Sequence, residues 1–224
     1  MNNGTTERVV GHFNRVALLP DKWDHNQQYQ KYMLKQIGGR KSNGLDIGCG
    51  TGEFCKSLLS KCEHVIGIDV APKMIEEALK RNPDNRIDYF VSDVDKFLEG
   101  REDSLEVIVS IAAFHHLDYE VILTKCMKAL KKGGILIIQD LYSEKTLVFK
   151  LLSLLGMLIN PFFMLAKNGK LHITREENKI WGNHREDDHY NSIAEIKEMS
   201  GVALEKCKIR RHLFWRYTLV YRKL

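Results

Sequence analysis

A chain of 224 residues suits one domain, or one domain with an insertion, and its 44% apolar and 28% charged residues are those of an ordinary soluble core and surface. The net charge of +5 is mild; much of it comes from Lys206 to Lys223, where basic residues alternate with Trp215, Tyr217 and Val220. That alternation reads as a solvated strand face, with a nucleic-acid or anionic-membrane surface as the alternative. Cys49, Cys55, Cys62, Cys126 and Cys207 form no CxxC pair, the first fifteen residues lack the apolar stretch of a secretory signal, and no tract reaches the roughly 18 uninterrupted apolar residues of a membrane span. A reduced, cytoplasmic compartment is expected.

Residues 1 to 8 are polar and read as loose. From Trp23 onward Tyr29, Tyr32, Met33 and Ile37 recur at helical spacing, which predicts an amphipathic helix over one sheet edge, ended by Gly38-Gly39. The density of Trp23, Asp24, His25, Asn26 and Tyr29 suits a ligand site as well as mere cover. Gly44 to Ile47 reads as a buried strand that enters the turn Gly48-Cys49-Gly50-Thr51-Gly52, followed by a helix from about Phe54 to Ser60. The glycine pattern is GxGxG, not the GxGxxG that aims a helix N-terminus at a pyrophosphate. A ligand without phosphates wants close backbone approach and a polar partner for an amino-acid end, and Asp46 could hold a cationic amine there.

His64 to Asp69 is a second strand, and Asp69 at its end is placed to accept from ribose hydroxyls. Pro72 opens a helix that runs to about Arg81. Ile87 to Val91 is strand three, closed by Ser92-Asp93-Val94; Asp93 is either a ligand contact or the N-cap of a turn at Lys96 to Leu98. Val107 to Ile111 is an unbroken apolar run suited to the centre of a parallel sheet. Ala112 to Leu117 then enters the crevice, Asp118 caps a helix to about Leu130, Leu130 to Gly134 stops it, and Ile135 to Gln139 is strand five. This alternation predicts an open α/β sheet with helices on both faces. Its ligands bind outside the strands' carboxyl ends, where Asp46, Asp69, Asp93, His115 and Asp140 all fall.

Leu147 to Ile159 is broken only by Lys150, Ser153 and Gly156; Asn160-Pro161 stops it and Phe162 to Ala166 resumes it. Residues 147–166 can be a buried core helix, a greasy lid over an apolar substrate, or a contact with a membrane surface. A polar stretch, Lys167 to His189, carries Trp181, His184 and His189, and Tyr190 to Ser200 reads as a helix. Val202 to Arg210 and Leu213 to Tyr221 make a terminal antiparallel hairpin. The chain thus divides into a helical cap (1–39), a nucleoside-binding core (40–141), a helical lid (142–200) and the hairpin (201–224).

Taken together, LDIGCGTG, the VIGIDV acid, SDV, AAFHHL and LKKGG resemble the class I S-adenosylmethionine-dependent methyltransferases over about residues 40 to 140, with a methyltransferase-11-like core. The resemblance implies a Rossmann-like sheet of seven strands, mostly parallel with the last antiparallel, which the hairpin fits. It implies S-adenosyl-L-methionine as cofactor and S-adenosyl-L-homocysteine as product. It further implies that Asp46 holds the methionine amino group, and that Gly48, Cys49, Gly50 and Gly52 shape the turn beneath methionine and ribose. Asp69 takes the ribose hydroxyls, Val70 and Met74 pack on adenine, Asp93 and the Val94 amide read the adenine edge, and Ile111 passes beneath the sulfonium.

Methyl transfer is an in-line displacement that needs alignment and exclusion of water, with a base only for acceptors that carry a proton on the attacking atom. His116, His115 and His184 are the candidate bases; Trp23, His25, Tyr29 and Tyr142 are candidate acceptor contacts. The histidine spacing matches no metal motif, and no metal is expected. The expected partner is a small apolar or aromatic acceptor, and no nucleic acid. Base-flipping amino-methyltransferases carry an Asn/Asp-Pro-Pro-aromatic run where this chain reads Ile111-Ala112-Ala113-Phe114. A nucleic-acid methyltransferase, a non-catalytic cofactor binder and a nicotinamide oxidoreductase stand as rivals, and the sequence does not indicate an oligomeric state.

Overall fold

The structure is a computed structural model that describes residues 3–20, 24–169, 190–201 and 207–224. In chain order it runs α1 (Asn3–Val16), a 3-10 turn (Gln27–Tyr29), α2 (Gln30–Ile37), β1 (Lys41–Ile47), α3 (Glu53–Leu58), β2 (Cys62–Asp69), α4 (Pro72–Arg81) and β3 (Ile87–Val91). It continues through α5 (Val94–Phe97), β4 (Leu105–Ile111), a 3-10 turn (Phe114–His116), α6 (Tyr119–Ala129), β5 (Leu130–Leu141), α7 (Leu147–Asn168), α8 (Ile193–Ser200), β6 (Cys207–Arg211) and β7 (Arg216–Arg222).

The seven strands lie in the order β3-β2-β1-β4-β5-β7-β6. β1 to β5 pair in parallel, and β7 is antiparallel to both β5 and β6 between which it lies. Strand periodicity sorts the apolar side chains into two layers. Leu45, Ile47, Ile108, Leu136, Ile138 and Leu219 face α6 and α8, while Val65, Val107, Val109, Ile135, Ile137 and Val220 face α2 and α3. Both faces of β4, β5 and β7 are covered, which is why Val107 to Val109 and Ile135 to Ile138 read as continuous apolar runs and not as alternation. The strand order reverses between β1 and β4, and the crevice opens at their carboxyl ends.

Three sequence expectations change. Residues 3–8 are not loose but belong to α1, whose Phe13 and Val16 pack with Ala17 against Ala71 and Met74 of the α4 start. Asn14 Oδ1 accepts the Lys73 backbone N–H (3.0 Å), and the Arg81 guanidinium donates to the Ala17 (2.8 Å) and Leu19 (3.1 Å) carbonyls. Long-range contact, not local propensity, makes that helix. Second, Leu130 to Gly134 does not only stop α6: β5 begins at Leu130, and its register against β4 shifts between Leu105 and Val107. Third, the helix expected to stop at Asn160-Pro161 runs on to Asn168, capped by Thr146 at one end and by Gly169 in the left-handed region at the other. An interior proline costs roughly 3 kcal/mol. Here side chains on either side of it are tied to the domain: Asn160 Oδ1 pairs with His25 Nε2 (2.8 Å) and the Phe163 ring meets Phe214 edge-on (5.6 Å). Nor is α7 a core helix, since Gly156 is its one buried residue.

The turn before β7 carries Phe214 and Trp215, both at φ +58°. Left-handed backbone costs an L-residue roughly 1–2 kcal/mol. Phe214 is 2% exposed and stacks on His25 (4.3 Å), and the Trp215 carbonyl accepts the Tyr142 N–H (3.0 Å). Because a buried phenyl ring contributes roughly 3–5 kcal/mol, packing outweighs strain. Phe214→Gly is therefore expected to lower stability by about 2 kcal/mol despite relieving the backbone, read as a lower urea midpoint with unchanged slope; a higher midpoint would show the strain to dominate.

Candidate active site

Two acids frame the glycine turn. Asp46, next to last in β1, is 2% exposed, and its Oδ2 accepts from the Cys55 Sγ on α3 (3.2 Å). Burial is the main force that pushes its carboxyl up to about 7; the Cys55 bond opposes this and Asp69 adds to it. Asp69 ends β2 and accepts from the backbone amides of Gly50 (3.0 Å) and Ala71 (2.8 Å). Burial raises its pKa, and the amides pull it back down. The pair is thus an acidic floor, buried at Asp46 and half-buried at Asp69, suited to a ligand that brings a cation to one carboxylate and hydroxyls to the other.

The turn between them has no room for a side chain at Gly48 or Gly52. Gly48, Gly50 and Gly52 lie at φ +68°, +54° and +81°. A Cβ at Gly48 would stand 2.5 Å from the Ala113 Cβ, and one at Gly52 would stand 2.3 Å from the Tyr89 hydroxyl. Tyr89 cannot easily yield, because its hydroxyl donates to the Asn82 carbonyl at 3.1 Å. The Ile68 carbonyl receives both the Gly48 and Cys49 amides (2.9 Å each), so the turn is pinned to β2. Cys49 and Cys55 fill the space against Gly67, and burial is the main force that raises the Cys55 thiol well above its usual value, as expected of packing cysteines rather than nucleophiles.

Around this floor, Val70 is half-exposed and Met74 is 6% exposed against the α1 cluster. Asp93 accepts the Asp95 amide (2.8 Å) as the N-cap of α5, and Val94 turns its side chain into the core. Ile111 ends β4 half-buried, and Ala112 after it sits at φ +53° with its amide bonded to the Gln139 carbonyl (2.8 Å). Strained non-glycine backbone of this kind costs roughly 1–3 kcal/mol and concentrates at functional sites.

His115 and His116 sit on the 3-10 turn after β4, rings 3.9 Å apart. His115 Nδ1 lies 2.7 Å from Asp140 Oδ1, and the His115 amide donates to Asp140 Oδ2 (2.8 Å). Burial pushes the Asp140 carboxyl up, but His115 and the His115 and Leu141 amides outweigh it and hold Asp140 below the usual carboxylate range. An ionised carboxylate only accepts, so Nδ1 carries the proton and Nε2 is the basic nitrogen. The Phe13 ring meets His116 edge-on (5.6 Å), and Tyr190 approaches His115 (5.2 Å).

The proposed acceptor residues do not converge there. Tyr29 donates its hydroxyl to the Leu213 carbonyl (3.0 Å) and stacks on His212 (4.3 Å). His25 lies between Phe214 and Asn160. Tyr142 is 2% exposed and packs edge-on to Phe149 and Tyr217, which makes it a core residue. Trp23 and His184 lie outside the described residues. A cavity of about 160 Å³ between Tyr142, Glu144, Thr146, Phe149 and Arg211 touches no residue of the glycine turn. The sequence reading gave no role to Arg216 and Gln139, and named Asn26 only as one of a group that could line a ligand site. Arg216 Nε donates to Asn26 Oδ1 (2.9 Å) and Gln139 Nε2 to the Asn26 carbonyl (3.1 Å), which straps residues 24–29 over β5 and β7. An arginine in a basic hairpin carries no local sign of being buried. No group of three or more metal-ligating side chains occurs among the described residues.

A seven-stranded sheet of this order, with an acid on either side of a glycine turn at the switch point, is the fold of class I S-adenosylmethionine-dependent methyltransferases. Residues 45–138 match the family described as Methyltransferase domain, so this part of the chain is a methyltransferase domain of that class. The chain is 33% identical over 155 residues to a malonyl-acyl-carrier-protein O-methyltransferase of Paenibacillus sp. (strain JDR-2), covering 61% of this chain and 55% of that one. It is 27% identical over 190 residues to a ubiquinone biosynthesis O-methyltransferase of Xylella fastidiosa (strain 9a5c), covering 83% and 70%. The chain therefore spans about half the length of the first relative. Among solved structures it is similar in fold to the N-methyltransferase NodS of Bradyrhizobium japonicum bound to S-adenosylhomocysteine, with TM-score 0.62, 17% identity and 98% of each chain covered.

Two outcomes follow from the site. Gly52→Ala is expected to cost at least about 2 kcal/mol, from left-handed strain plus the clash with Tyr89, read by urea unfolding. Asp46, raised to about 7 when folded, favours the folded state most below the ordinary carboxylate range and loses that contribution as pH rises through about 7. The ligand-free protein should therefore melt lower at pH 8 than this group alone would allow at pH 5, and Asp46→Asn should raise the pH 8 Tm by roughly 5 °C; an unchanged pH 8 Tm would refute the buried charge.

Proposed function

We propose that this protein transfers a methyl group from S-adenosylmethionine to an oxygen of a small apolar or aromatic acceptor. The observation that carries the reading is the glycine turn, closed to a Cβ at Gly48 and Gly52, between the buried Asp46 and the half-buried Asp69. The residues present fit the cofactor: an ammonium neutralises the buried Asp46 carboxylate, hydroxyls satisfy Asp69, and the bare backbone at Gly48 to Gly52 admits close approach. When bound, S-adenosylmethionine supplies an activated methyl on a sulfonium. Asp46 and Asp69 orient that group, and α1, packed on the start of α4, shields it from water.

Both curated relatives are named for O-methyl transfer, and an alcohol or phenol acceptor must lose a proton where a carboxylate need not. His115 Nε2 takes it, while Asp140 fixes the ring and stabilises the imidazolium. Phe13 and Tyr190 beside the histidine pair favour an apolar or aromatic acceptor.

Incubation of the protein with a metabolite extract and methyl-labelled cofactor should yield a labelled small molecule by mass spectrometry. Binding without transfer to any component would identify a cofactor-binding protein instead, and preference for NAD in calorimetry would discard the reading. Asp140→Asn, which changes the proton pattern at Nδ1, is expected to lower kcat about tenfold to a hundredfold and leave S-adenosylhomocysteine affinity unchanged. Affinity for S-adenosylhomocysteine should fall as pH drops below about 7, because Asp46 must lose its proton to receive the ammonium.

A further inference from the structure

α7 is amphipathic the wrong way round. Its polar residues near the middle face the protein: Ser153 Oγ accepts from Trp215 Nε1 (2.9 Å), and Asn160 Oδ1 pairs with His25 Nε2 (2.8 Å). Gly156, one turn from each, is buried beside Phe214. The opposite side carries Leu147, Leu151, Leu154, Leu155, Leu158 and Phe162, all exposed, with Phe162 at 72% and Leu147 at 71%. Over 22 residues the helix is long and apolar enough to cross a membrane, yet only 6% of its most apolar window is buried. An apolar face of this extent marks an interaction site on a soluble protein.

Charge decides what covers it. From Lys145 to Gly169 the chain has three lysines, Lys145, Lys150 and Lys167, all exposed, and no aspartate or glutamate. A second copy laid on this face would bring like charges together with no acid to answer them. An anionic lipid surface answers them and takes the leucines as well. The contacts that hold α7 decide its orientation. Ser153, Gly156, Asn160 and Phe163 dock near the helix middle, so spanning would strip both hydrogen bonds and draw the folded domain into hydrocarbon. A helix held through its middle by a folded domain lies in the interface plane.

We propose that α7 seats the protein on an anionic lipid bilayer, flat in the boundary between headgroups and acyl chains, with its leucine face down and its Ser153–Asn160 face on the domain. This stands apart from the methyl-transfer reading, since it needs neither cofactor nor acceptor.

The test is co-sedimentation of the full chain with phosphatidylcholine vesicles that contain about 30% phosphatidylglycerol, and with phosphatidylcholine alone. The protein should bind the anionic vesicles and bind the neutral ones several-fold more weakly. Leu151→Asp with Leu158→Asp, on exposed positions, should weaken binding at least tenfold. Lys150→Glu with Lys167→Glu, or high salt, should weaken it several-fold. Leu79→Asp, an exposed leucine of α4, should leave it unchanged. Circular dichroism and an unchanged Tm keep folding out of the comparison. Absence of binding to anionic vesicles overturns the proposal, as does equal loss in Leu79→Asp. A solution dimer that the Leu151/Leu158 changes dissociate, without vesicle binding, assigns the face to a second copy instead. Resistance to alkaline carbonate extraction overturns the in-plane placement.

Discussion

The crevice rests on the distance between two backbones at the reversal of strand order. Gly48 leaves β1 and Ala113 follows β4, and no methyl group fits between them. That contact lets the two chain segments diverge while their strands remain paired. Everything placed at the carboxyl edge inherits its position from it: the glycine turn on one side, the strained Ala112 and the histidine pair on the other. Once the backbones are this close, the acids have nowhere to go but inward, and their raised pKa values follow from burial.

A second constraint ties the hairpin to this edge. Arg216 is 8% exposed, and burial lowers its pKa while Asp24 and Asp140 favour its charge. His115 and two backbone amides keep the buried Asp140 carboxylate ionised, and its charge in turn favours that of Arg216. The Asn26 strap uses the same arginine, so the segment before α2, the end of β5 and the start of β7 form one polar joint. A buried polar network of this kind fixes one arrangement because each member is left without a partner in any other.

How much of this was legible in the sequence follows from how local each feature is. α4 begins at Pro72 and ends at Arg81 as read, because a proline and an apolar face define it within ten residues. β3 also spans Ile87 to Val91 as read, and Asp118 caps α6 as its position implied. Asp46 and Asp69 could be placed because strand, turn and acid lie within one short stretch. That Asp93 caps α5 is shown only by geometry. Features made by distant partners were not legible. α1 forms because α4 offers it a surface, α7 passes Pro161 because His25 and Phe214 hold it, and Tyr29 and Tyr142 spend their side chains on packing and on the Leu213 carbonyl. The apolar tract at 147–166 was visible at once, but which side of it faces the protein was not, because two polar residues set that choice through partners that lie 62 and 135 positions away.

The turn at Phe214 and Trp215 also sets an order of events during synthesis. α7 leaves the ribosome before Phe214 and Trp215, which dock it on the hairpin, and β7 must slip between β5 and β6 before that part of the dock exists. Until then the nascent chain carries a 22-residue apolar helix with neither of its side-chain anchors on the hairpin in place. That interval is the stage of biogenesis in which a chaperone, or a lipid surface, competes with the native fold for the same helix.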